Sequence, residues 1–204
     1  MHPLRSIWQA HWKQVGASGD GDLIFHALIA RYSEPHRHYH TVQHLEECLN
    51  LFATVADLTE HPAEVAMAIW FHDSIYELTS NKNEQMSAQW AHQALIDHCA
   101  DDAVAERVRR LIMATAHQAL PANQDEKILV DIDLAILGAP HERFAEYEQQ
   151  IRAEYSAVTK WLFKQKRQSI LRSFLQRASI YATPVFIARF ETSARNNLEH
   201  ALAD

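Results

Sequence analysis

Residues that break a helix are scarce in this chain: four glycines and six prolines are spread over 204 residues. Hairpins and tight turns draw on glycine, proline and asparagine at defined positions, so strands have little means of folding back on one another here. Apolar residues recur instead at helical spacing, among plentiful alanine, leucine, glutamine, glutamate and arginine. An all-α helical bundle is expected.

Along the chain, Leu4, Ile7, Trp8 and Trp12 set the period of a first helix over 3–15, which Gly16 and Gly19 to Gly21 interrupt. Asp22 is expected to cap a second helix whose apolar face is Leu23, Phe25, Ile29 and Tyr32, ending before Pro35. After the polar stretch SEPHRHYH, a third helix is expected over 41–55. Pro62 suits the first turn of a fourth, running to about Tyr76. Further helices are expected over 86–99, from Asp101–Asp102 to His117, and over 127–137, the last stopped by Gly138 and Pro140. Three more are expected over 143–158, 161–177 and 184–202. The whole is read as a single domain, with a core of about 20–140 and a C-terminal helical cap of about 141–204.

The fourth helix carries the adjacent pair His72–Asp73 at the end of the apolar run AMAIWF, so an imidazole and a carboxylate reach the edge of a core. Coordination to a divalent ion satisfies both groups at once. His36, His38, His40 and His44 precede the pair, and His117, Asp131 and Asp133 follow it. His40 and His44 are four residues apart, one turn on a common helical face. Asp131 and Asp133 diverge by about 200° on a helix, so only one of them can face a given ion.

The order of these groups resembles the HD superfamily of metal-dependent phosphohydrolases, in which a histidine is followed by a His-Asp pair and a distant aspartate. YHTVQH is similar to the tyrosine-histidine motif of cyclic-nucleotide phosphodiesterases of the same fold, with Thr41 where that motif has asparagine. RHYHTVQH, FHDSIY, NEQMSA, ATAH and DIDLAILG together resemble a bacterial group of HD phosphohydrolases over nearly the whole chain. The resemblance implies an HD-type helical bundle with His44, His72, Asp73 and Asp133 as metal ligands. Asp131 is left to a structural hydrogen bond or salt bridge. Nitrogen and oxygen donors without sulfur suit Mn²⁺, Fe²⁺, Co²⁺, Ni²⁺, Mg²⁺ or Zn²⁺ in an open site where bound water becomes a nucleophile.

The activity implied is hydrolysis of a phosphomonoester or phosphodiester, with a nucleotide as the leading substrate class. His40 is expected as general acid and His117 as a second catalytic group. Glu84 is expected to orient water, Arg37 to clamp phosphate through its planar fork, and Asn83 to touch substrate. HDSIYE lacks the lysine of the HDIGK form found in many nucleases and nucleotidases of the superfamily. Two alternatives stand beside hydrolysis: a nucleotide-binding signalling module without turnover, and a di-iron oxygenase on the same fold.

A net charge of −7 argues against a general duplex nucleic-acid or anionic-membrane surface. Two cysteines, Cys48 and Cys99, make neither a disulfide framework nor a thiolate zinc cluster, and a cytoplasmic setting is expected. A small phosphorylated substrate is the expected partner, and a homodimer is left open.

Overall fold

The computed structural model describes residues 2–98 and 100–203. These form ten α-helices and no strand: α1 (Arg5–Gln14), α2 (Asp22–Tyr32), α3 (Val42–Phe52), α4 (Pro62–Phe71), α5 (Asn83–Asp97), α6 (Asp102–Ala114), α7 (Gln124–Asp133), α8 (His141–Glu154), α9 (Lys160–Leu175) and α10 (Pro184–Ala203). Short 3₁₀ turns cover Ala56–Leu58 and Leu134–Gly138. Two compact units, Met1–Leu129 and Val130–Asp204, meet in sequence within α7. Cys99, where α5 was expected to end, lies outside the described residues.

The first unit is built on α4. Every residue from Glu64 to Phe71 is buried, and α1, α3, α5 and α6 all pack on this helix. A helix that is apolar on every side belongs in a core, and each large side chain removed from water there contributes about 1.5–3 kcal/mol. Trp8 stacks on Trp12 at 5.0 Å and meets Trp70 edge-on at 5.3 Å. Glu64, the one carboxylate in this helix, accepts two hydrogen bonds of 2.7 Å from Arg107.

The start of α4 is capped from a distance. Pro62 occupies its first turn, and the Asp125 carboxylate accepts the backbone N–H groups of Glu60 at 2.7 Å and His61 at 3.1 Å. Two expectations about α2 change. Gly21, with φ at 63°, is its N-cap, while Asp22 stands in its first turn paired with Arg5. Leu23 is exposed, because it lies two positions before buried Phe25, a step that turns it about 200° around the helix.

In the second unit, α10 packs on the Leu134–Gly138 turn. A Cβ on Gly138 would stand 2.7 Å from the Phe190 Cβ and carbonyl oxygen, so only glycine lets the two backbones approach. Asn197 donates to the Leu137 and Ala139 carbonyls, both at 2.9 Å, and the Tyr181 hydroxyl donates to Leu134 O at 3.2 Å. Among the described residues no helix is long and apolar enough to cross a membrane.

Candidate metal centre

The site begins where α4 stops. The last four carbonyls of a helix have no partner within it, and here each is met by a specific donor. Ala68 O accepts from His72 N–H at 2.9 Å, and Ile69 O from His72 Nδ1 at 2.8 Å. Trp70 O accepts from the Tyr32 hydroxyl at 3.2 Å, and Phe71 O from Ser74 N–H at 2.9 Å. With its carbonyls taken in this way α4 ends at Phe71, five residues short of the expected Tyr76. His72 is its C-cap and Asp73 lies in the turn beyond.

The Ile69 contact fixes the imidazole of His72. A carbonyl can only accept, so Nδ1 carries the hydrogen and Nε2 presents a lone pair, the tautomer a metal-ligating histidine needs. His44, one turn into α3, brings its own Nε2 to 3.1 Å from that atom. Asp73 Oδ2 stands 3.1 Å from His72 Nε2 and 3.4 Å from His44 Nε2. With metal–ligand bonds of about 2.1 Å, neighbouring ligand atoms are roughly 3.0 Å apart in an octahedron and roughly 3.4 Å apart in a tetrahedron. The three observed spacings fall in that range.

Burial shapes the charge balance. The two histidines are 2% exposed and the Asp73 side chain 18%. Burial by itself would raise the Asp73 carboxyl, yet the neighbouring imidazoles of His72, His40 and His44 hold it well below the usual carboxylate range. It is therefore ionised at neutral pH. An anionic oxygen and two imidazole nitrogens converging in a largely dry site are a donor set that a divalent cation satisfies.

Comparison with known proteins adds nothing to this geometry. No family model, no curated protein and no solved structure matches the chain.

The remaining sequence-predicted residues fall at different places. Asp133 is the last residue of α7, half-buried, and belongs to the second unit. Within that unit Asp131 is fully buried, its carboxylate accepting from Ala182 N–H at 2.7 Å, Thr183 N–H at 2.8 Å and the Thr183 hydroxyl at 2.6 Å. Burial pushes the Asp131 carboxyl upward against these three donors. His40 precedes α3 instead of sharing its face, because Thr41 is the N-cap and accepts from Gln43 N–H. Its ring is still 6.0 Å from that of His44, and it stacks on Tyr76 at 4.1 Å.

Arg37 is engaged within the protein. It is 4% exposed, and it donates through Nη1 to the carbonyls of His40 at 3.2 Å and Asp73 at 2.6 Å, through Nη2 to Ser74 O at 3.1 Å, and through Nε to Glu34 at 3.1 Å. Asn83 is likewise engaged within the protein. Its Oδ1 accepts from Glu77 N–H and its Nδ2 donates to Glu77 O, both at 3.0 Å, which closes the loop before α5. Glu84 sits in the first turn of α5, where the helix dipole favours a carboxylate. His117 lies three residues beyond the end of α6 with φ at 53°, a left-handed backbone uncommon outside glycine, though histidine enters it more readily than most residues. Neither Glu84 nor His117 is among the clustered ligand atoms. His36 and His38 are exposed, His36 contacting Tyr76 O through Nε2 at 2.9 Å.

Two residues at the centre escape a reading of the sequence alone. Cys48 packs its sulfur 3.7 and 3.8 Å from the two ring nitrogens of His44. Nearly equal distances place it against the ring and on neither lone-pair axis. The signal for it was present, since Cys48 follows His44 by four residues and so shares its helical face. Tyr32 supplies the hydroxyl that holds Trp70 O, and no local pattern marks that partnership across 38 residues.

Proposed function

We propose that this chain is a metal-dependent phosphohydrolase of the HD type, cleaving a phosphomonoester or phosphodiester, with a nucleotide as the leading substrate class. The observation that carries this reading is the Ile69 carbonyl on His72 Nδ1, which aims Nε2 at the point where His44 Nε2 and Asp73 Oδ2 also converge. Asp133 is the fourth ligand in this proposal, on the strength of the HD pattern. A divalent ion held there acidifies water and withdraws charge from a phosphoryl oxygen.

The residues around the ion have their own tasks. His40, its ring steadied on Tyr76, donates a proton to the leaving oxygen as the ester bond breaks. Asp73 stays ionised and balances charge. His117, on a backbone held in a sparsely populated conformation, is the second histidine proposed to face the phosphate.

The test combines elemental analysis of freshly purified protein with turnover of a chromogenic phosphodiester and a nucleotide panel in added Mn²⁺. The reading expects bound metal, hydrolysis of at least one substrate, and loss of both metal and turnover in Asp73→Ala by tenfold or more. A chain that holds no divalent ion, and gains no activity from any added, would end it.

A further inference from the structure

With its fork directed inward, Arg37 joins two pieces of chain that are distant in sequence. One is the segment 36–40, which leads through Thr41 into the helix bearing His44. The other is the turn after α4, which carries His72 and Asp73. Arg37 Nη1 bridges them directly by donating to His40 O and to Asp73 O, and Nη2 holds the next carbonyl, Ser74 O. Its Cζ lies 5.4 Å from the ring centroids of both Tyr32 and Tyr76, so the cation contacts two aromatic rings as well as being bonded. Glu34 neutralises it from the Nε side. The same two segments are stitched again by His36 on Tyr76 O and by the His40–Tyr76 stack.

We infer that Arg37 is the positioning residue of the metal centre: it sets the spacing between the His40/His44 segment and the His72–Asp73 turn, and it does not bind phosphate. The ligand atoms stand 3.1–3.4 Å apart across these two segments, so a shift of a few tenths of an ångström in the turn changes their convergence. Lysine cannot substitute, because a single ammonium cannot span three carbonyls and a carboxylate held in a planar array. The inference rests on the metal-centre reading for its meaning, but one of its measurements does not.

The test uses Arg37→Lys in the full chain, with far-ultraviolet circular dichroism to establish that the helices form. Amide hydrogen exchange of metal-free protein reports the turn over 72–76. Co²⁺ titration against a competing chelator, with the Co²⁺ absorption spectrum, reports the ligands, and inorganic phosphate added to the Co²⁺-loaded protein reports substrate binding. Expected are exchange at 72–76 at least tenfold faster, Co²⁺ affinity roughly 10–100-fold weaker with an altered spectrum, and phosphate affinity unchanged at saturating Co²⁺. Unchanged exchange overturns the inference, as does faster exchange with unaltered Co²⁺ affinity and spectrum. Weakened phosphate binding over an unaltered Co²⁺ site would make Arg37 a clamp instead. A wild-type chain that takes up no Co²⁺ removes the proposed function, while the exchange measurement still decides whether Arg37 holds the turn. If Arg37→Lys does not fold, Glu34→Gln, which loosens the guanidinium from its Nε side alone, is expected to move exchange and Co²⁺ affinity in the same direction by a few-fold, and no movement in either overturns the inference.

Discussion

A single part-buried hydrogen bond is expected to give the first unit a pH dependence. The indole N–H of Trp70 donates to His11 Nδ1 at 3.1 Å, so that nitrogen must be unprotonated in the folded chain, and burial lowers the His11 pKa. A histidine whose folded pKa is depressed contributes stability that is complete above its unfolded value, about 6.5, and that drains away as pH falls through the folded value. His11→Gln keeps an acceptor that does not titrate. Urea denaturation between about pH 7.5 and pH 5 is therefore expected to show wild type losing more stability than His11→Gln, since the other histidines are common to both. Equal losses would mean that His11 does not sense acid through this bond.

Helix ends show where the sequence was legible and where it was not. The N-cap at Asp101 and Pro62 in the first turn of α4 were readable because capping chemistry is local. The end of α4 was not, for its terminating donors come from Tyr32 and from the turn after it, and Arg37, which holds that turn, is 36 residues away from Asp73. The same distance applies to Arg37 itself: its partners at Asp73 and Ser74 lie 36 and 37 residues away, and only the fold shows that its guanidinium meets their carbonyls. His44, His72 and Asp73 could be picked out because the His-Asp pair follows an apolar helical run and the order of the three residues resembles the HD pattern. The start of α4 also depends on a distant group, since Asp125 caps it. Asp125→Ala leaves two backbone donors and the His61 ring without their carboxylate. The expected loss is about 1–3 kcal/mol in denaturant unfolding, with Asp125→Asn losing about half of that because one acceptor oxygen remains. A change below about 0.3 kcal/mol would show that water replaces the cap at no cost.

For the molecule as a whole, metal and stability are linked, because an ion that binds only the folded chain stabilises it by mass action. At about 100 times its Kd that amounts to about 2.7 kcal/mol, or a rise in Tm of roughly 5–10 °C for a chain of this size. Melting with EDTA and with Mn²⁺ is expected to differ by that interval in wild type and to coincide in the His72→Ala, Asp73→Ala double variant. Coincident curves in wild type would mean that no ion favours the folded state. The remote cap on α4 also imposes an order in time. Glu60 and the carboxylate that receives its N–H are 65 residues apart, so at about 5–20 residues per second Glu60 is made roughly 3 to 13 s before Asp125. For most of that interval the nascent chain already carries His72 and Asp73, just past a helix whose capping amides, those of Glu60 and His61, are still bonded to water.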